Sequence, residues 1–154
     1  MPVFPIPFVP ELSYTTGARY FGAGRSKGRK HGGCDLIAPR GTDVYAVDDG
    51  TVIQGPYYFY EGTYALEVKH KSFVVRYGEI EKKVAAGIEA GAKLEKGQRI
   101  GDVGKLKMLH FEMYSGAKTG ALTVRGNKPY QRRSDLINPT AYLDAWPLLS
   151  GKKR

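Results

Sequence analysis

Short alternating runs of apolar and polar residues dominate this chain, and Gly, Pro, Asn and Asp break them at close intervals. Thr42 to Val47 alternates, Asp48-Asp49-Gly50 turns, and Thr51-Val52-Ile53 resumes, which predicts a hairpin. Gly55-Pro56 predicts a further turn. Residues 57–69 are aromatic and β-branched around Glu61-Gly62, a second hairpin signal. Ser72 to Ile80 reads as a strand with Val75, Tyr77 and Glu79 on one face. The glycines of Val84 to Lys93 argue for a loop over the sheet rather than a helix. Arg99 to Val103 and Leu106 to Tyr114 read as the last core strands, followed by a polar, glycine-rich insertion at 115–135. Asn138-Pro139-Thr140 predicts the cap of a short helix, Ala141 to Trp146, stopped by Pro147. No segment repeats. The pattern predicts a mainly β, single-domain antiparallel sheet fold with short helices.

The flanks read differently. Residues 1–19 are apolar but interrupted by proline, which predicts an extended arm lying over a domain at 20–146; residues 147–154 form a basic tail. The first residues lack a basic start and an unbroken apolar stretch, so they do not read as a signal peptide. Synthesis in the cytoplasm is expected. No apolar run approaches the length of a membrane-spanning helix.

With 154 residues, 42% of them hydrophobic and 25% charged, the chain can bury one proper core. A single cysteine excludes an intramolecular disulfide. The net charge of +9 favours polyanionic partners: nucleic acid, anionic membrane or anionic cell wall. The basic residues are dispersed in clusters, the first being Arg25–Lys30, and no nucleic-acid-binding signature is visible. Nucleic acid is therefore not an expected partner.

The candidate chemistry rests on few residues. Only three histidines are present; two of them, His31 and His110, together with Asp35, offer two imidazoles and one carboxylate. Three N/O ligands with a fourth position open is how a catalytic zinc is held. Strand periodicity puts Met108, His110 and Glu112 on one face, with Leu109 and Phe111 on the other. Cys34 adjoins Asp35 and should therefore point the opposite way, as a small buried core residue. Of the aromatic run Tyr57-Tyr58-Phe59-Tyr60, half should be core by alternation and the rest available as groove walls.

An ordered series of motifs resembles one family. His31-x-Gly33-x-Asp35, Ala38-Pro39-x-Gly41-Thr42-x-Val44-x-Ala46 and Asp49-Gly50-x-Val52 look like the lysostaphin-like (LytM-type) zinc peptidases. Later landmarks follow in order: His70 at a strand end, the strand Val74 to Tyr77, Lys96-Gly97-Gln98-x-Ile100-Gly101, Leu109-His110-Phe111-Glu112, and Asn138-Pro139. The resemblance covers roughly residues 20 to 143 and implies the LytM, or duplicated-hybrid-motif, fold. It implies one Zn2+ ion on His31, Asp35 and His110, with Gly32 and Gly33 turning the backbone so that the first two converge. Glu112 is expected to orient a ligand or hold the sheet edge, with a surface salt bridge as the alternative. The resemblance implies a peptidoglycan peptide as substrate, cut by an endopeptidase; a monomer is expected.

Two positions depart from the family. A histidine usual after the strand tyrosine is replaced in Tyr77-Gly78-Glu79, and the usual His-x-His begins here with Met108. The expectation is that Glu79 acts as general base, that Tyr77 beside it donates a hydrogen bond to the developing oxyanion, and that His70 stands in reserve for acid–base work or ligand support. Met108 is expected to line the substrate groove. The role expected is a phage-type lytic enzyme or antibacterial effector, reaching the wall or periplasm after release. The alternative is an inactive zinc-binding module that binds wall or a protein partner.

Overall fold

The computed structural model describes residues 1–149; residues 150–154 of the predicted basic tail lie outside the described residues. Nine strands form among them: β1 Cys34–Ile37, β2 Asp43–Tyr45, β3 Gly50–Tyr60, β4 Thr63–His70, β5 Val74–Ile80, β6 Lys93–Leu94, β7 Arg99–Asp102, β8 Met108–Tyr114 and β9 Leu136–Ile137. One α-helix, α1, spans Thr140–Ala145. The main sheet runs β1-β8-β5-β4-β3-β6, with β9 added to β8, and β2 pairs with β7 as a separate two-stranded sheet. Every pairing is antiparallel. No helix among the described residues is long and apolar enough to cross a membrane.

Alternation gives the main sheet two unlike faces. Leu36, Leu66, Val75, Leu109 and Phe111 point to one side and are wholly buried. The β2–β7 pair, Phe4 and Ile6 of the arm, and Leu143 and Trp146 around α1 cover that side and complete the core. Asp35, Arg76, His110 and Glu112 point to the other side. That face carries a second, smaller core of Val74, Tyr114 and Leu122, which anchors the 115–135 insertion. The insertion is itself a hairpin, with Thr123 bridged to Arg132.

Several expectations change. Residues 42–53 are not a hairpin: β2 leaves β3 and pairs with β7. Val44 to Val47 are all buried, so this stretch is enclosed on both sides and its alternation carries no information. Gly55-Pro56 is not a turn either. The eleven-residue β3 runs through it, with a register shift against β4 where Gly55 adopts φ 113°. The Glu61-Gly62 turn does form, with both residues at positive φ, as a tight hairpin requires. The arm is part of the core rather than laid over it. Val3 donates to the Val47 carbonyl and Tyr45 to that of Pro5.

Gly33 is needed for a different reason from the one expected. It has no positive φ; instead, an added Cβ would overlap the Phe111 carbonyl of β8. The glycine lets β1 enter against β8, which brings Asp35 opposite His110. Gly33→Ala is expected to destabilise the fold by about 1–3 kcal/mol through that clash. A lowered midpoint in urea unfolding checks it, and an unchanged midpoint contradicts it.

Candidate metal centre

Three side chains converge on the polar face of the sheet. His31 Nε2 lies 3.1 Å from Asp35 Oδ1, His110 Nδ1 lies 2.9 Å from the same oxygen, and the two nitrogens are 3.2 Å apart. All three residues are buried and together could hold a metal ion. A tetrahedral zinc with bonds of about 2.0–2.1 Å has ligand–ligand edges of about 3.3 Å, so the spacing suits one small cation. β1 and β8 supply two of the donors through the register Asp35↔His110. His31 is placed by its backbone pairing, its N–H donating to Ala23 and its carbonyl accepting from Gly22.

The far sides of both rings decide what they present inward. His31 Nδ1 donates to the Tyr20 carbonyl at 2.9 Å, leaving Nε2 as an acceptor. His110 Nε2 donates to Glu112 Oε2 at 2.6 Å, leaving Nδ1 as an acceptor. With both rings neutral, two lone pairs and a carboxylate oxygen therefore face one another with no donor between them. The arrangement demands positive charge. Proton affinities show the same demand. Burial pushes the His110 pKa down, but hydrogen bonds to Asp35 and Glu112 more than offset it and lift the pKa to about 10. Burial favours protonation of Asp35, yet its bonds to His110 and His31 hold it well below the usual carboxylate range.

Glu112 is the hub behind the ligands. It is wholly buried and takes Arg76 at 3.0 Å, Arg132 at 3.0 Å and the Tyr114 hydroxyl at 2.6 Å, besides His110. Burial alone would raise its pKa; Arg76 and Arg132 outweigh that and keep it ionised. The expectation of a residue orienting a ligand describes this geometry, whereas a surface salt bridge does not. Cys34 is wholly buried on the core side with its Sγ 3.5 Å from Thr140 Oγ1, away from the cluster.

Alternation fails at Glu79, with consequences for the site. Gly78 and Glu79 together oppose Ala65 of β4, a bulge in β5, and Glu79 adopts φ 63°. Gly104 on the neighbouring loop donates to the Glu79 carbonyl at 3.0 Å and pins the bulge. The extra residue turns the Glu79 side chain onto the polar face while Tyr77 stays on the core face. There Tyr77 donates to His70 Nε2 at 2.8 Å and accepts from the Val47 N–H, and His70 Nδ1 donates to the Asp49 carbonyl. Tyr77 and His70 are thus brought to each other across β4 and β5, not to Glu79 or the metal cluster. Burial, above all, holds His70 neutral. Glu79 is buried but has no hydrogen-bond partner among the described residues. Burial raises its pKa to about 7, against the pull of His110 and with help from Asp35.

The cluster and Glu79 line an open groove of about 730 Å³. Met108 forms part of its wall, as expected. Tyr57 to Tyr60 all border it and none enters the core, since this end of β3 lies beyond the covered part of the sheet. Phe59 packs on the His110 ring at 5.6 Å and under the Arg76 guanidinium at 4.9 Å, in space left by Gly78. Arg76 was legible in principle, because strand periodicity sets it opposite Tyr77 and so on the His110 face. Arg132 was not: it arrives from the insertion, where no periodicity applies.

Comparison with known proteins gives the family. The family model "Peptidase family M23" matches residues 29–122, more than half the chain. The chain is 32% identical over 88 residues to peptidoglycan DD-endopeptidase ShyA of Vibrio cholerae, covering 54% of this chain and 20% of that protein. It is 28% identical over 76 residues to peptidoglycan DD-endopeptidase ShyC of the same organism, covering 49% and 17%. The chain thus spans about a fifth of the length of these relatives. The catalytic domain of the antimicrobial peptidase lysostaphin, from Staphylococcus simulans, superposes with a TM-score of 0.63 at 20% identity, over 84% of this chain and 91% of that one. The match through both candidate ligand segments, on a mainly antiparallel sheet shared with lysostaphin, establishes that the chain belongs to peptidase family M23.

Proposed function

We propose that this chain is a zinc-dependent endopeptidase that hydrolyses peptide cross-links of bacterial peptidoglycan. One observation carries the reading: two imidazoles and a carboxylate, each able to act as a ligand, converge on one point, and a carboxylate with no hydrogen bond to a described residue shares their groove. His31, Asp35 and His110 are the residues that would hold the ion. Two imidazoles and a carboxylate suit zinc better than magnesium or calcium, which prefer all-oxygen sites. Zinc bound there supplies Lewis acidity at neutral pH. Family membership supports peptide-bond hydrolysis, and the names of the two Vibrio cholerae relatives support peptidoglycan as substrate.

Glu79 does the proton work. It takes a proton from the attacking water as the oxygen bonds the scissile carbonyl carbon, and returns it to the amine as the C–N bond breaks. A pKa near neutrality suits both steps. Tyr77 and His70, on the far face, hold β4, β5 and the Asp49 turn together. The +9 charge draws the protein to an anionic wall, as a phage-type lytic enzyme or an antibacterial effector requires.

Metal binding gives a direct test. Isothermal titration with Zn2+ is expected to show one site per chain. At a hundredfold excess over Kd, zinc should stabilise the fold by about 2.7 kcal/mol. His110→Ala should lose both effects. Full zinc affinity in that variant would rule out this ligand set.

A further inference from the structure

The groove that holds the metal cluster is also lined by five arginines, Arg19, Arg25, Arg29, Arg76 and Arg132, against three carboxylates. Most of these arginines are committed. Arg76 and Arg132 share Glu112, and Arg19 is bound to the Ser13 carbonyl and Thr16. Arg25 donates to the Ala18 and Gly24 carbonyls and stands 3.8 Å from Asp35 Oδ2, which fixes it beside the cluster. Arg29 is different. Its guanidinium has no hydrogen-bond or ion-pair partner among the described residues, yet it borders the groove.

Backbone geometry places Arg29 next to Arg25. Gly24 and Lys30 form an antiparallel bridge, and the Arg25 N–H donates to the Arg29 carbonyl at 2.8 Å. Lys27 and Gly28, both at positive φ, close the tip. The neck is held from outside, with Lys30 donating to the Pro129 carbonyl and His31 to that of Ala23. This short hairpin therefore leads straight into the ligand His31. We propose that Arg29, beside the fixed positive charge of Arg25, forms a carboxylate-binding subsite, selecting peptides that carry a free carboxylate near the bond to be cut. The planar guanidinium fork matches a carboxylate bidentately. A long polyanion fits less well, because Asp35, Glu61 and Glu79 interrupt the positive charge along the groove. The inference rests on the endopeptidase reading for its substrate class.

The test is titration of the full chain with a peptidoglycan stem tetrapeptide, as the free acid and with every carboxyl, side-chain and C-terminal, amidated. The free acid is expected to bind about tenfold more tightly. Arg29→Ala should weaken the free acid about tenfold and the amidated form less than about twofold, and Arg29→Lys should restore part of the preference. Arg29 is the residue to change, because its side chain makes no bond that holds the fold. Equal affinity for the two forms, no binding of either, or equal weakening of both by Arg29→Ala overturns the subsite. Digestion of free-acid and amidated walls separates this from the parent reading. Equal cleavage of both removes the subsite and keeps the endopeptidase. Acid-selective binding without cleavage keeps the subsite and removes the endopeptidase.

Discussion

Replacing Glu79 with alanine is expected to lower kcat/KM on peptidoglycan by about 10²–10⁴-fold, the usual contribution of a positioned general base. Zinc affinity should stay near wild type, because Glu79 is not among the three converging ligands. Stability should not fall. The desolvated Glu79 carboxylate, with no hydrogen bond to a described residue, opposes folding, while the strain at φ 63° is the same with alanine. Such a cost is retained where chemistry uses it. Glu79→Gln is the sharper variant, since it keeps the shape and the backbone demand and removes only the basicity. Steady-state release of peptide fragments, measured beside a thermal melt and a zinc titration, separates the outcomes. Loss of turnover with intact binding and melting makes Glu79 the base. Unchanged turnover gives the proton work to another group. If zinc-loaded wild type has no turnover to lose, the chain is the binding module that Met108, in place of the usual histidine, would also suit.

Glu112→Ala should be the most damaging single change to the fold around the site. Arg76 is almost wholly buried and would lose its carboxylate partner Glu112, His110 Nε2 would lose its acceptor, and the Tyr114 hydroxyl would be stranded. Removing one member of a buried, hydrogen-bonded ion cluster costs about 3–5 kcal/mol. Losing the support behind a ligand also lowers metal affinity by about 10–100-fold. Arg132→Ala should cost less, because its guanidinium is partly exposed and Arg76 remains on Glu112. Urea unfolding and zinc titration of both variants check the ranking. Equal, small effects would mean that the cluster contributes little to either property.

What the sequence disclosed depends on which physical rule dominates at each place. His110, Glu112, Leu109 and Phe111 sit on β8, a regular strand with unlike faces, where a period of two predicts side-chain direction well. The same rule fails where the backbone is irregular: the bulge at Gly78 and Glu79 sends Tyr77 and Glu79 to opposite faces. A bulge leaves no mark in a hydrophobic pattern, so the pairing of Tyr77 with His70 was not legible. Thr42 to Val47 misleads for the opposite reason. Enclosure on both sides removes the contrast between faces, and alternation then points to the wrong partner strand. The three candidate ligands were legible from residue type and motif order, while their convergence depended on Gly33 admitting β1 against β8. Arg132 and Leu122 come from an insertion whose fold is set by long-range contacts, and nothing local announces them.

The most direct test of the central claim is to count new amino termini after incubating purified peptidoglycan with the zinc-loaded protein. Chelator-treated protein and His110→Ala serve as controls. Primary amines are expected to accumulate with time only in the zinc-loaded wild type, with no matching rise in reducing sugar ends. No new amines from folded, zinc-loaded protein on Gram-negative and Gram-positive walls alike, or equal release by the chelated protein, would contradict it.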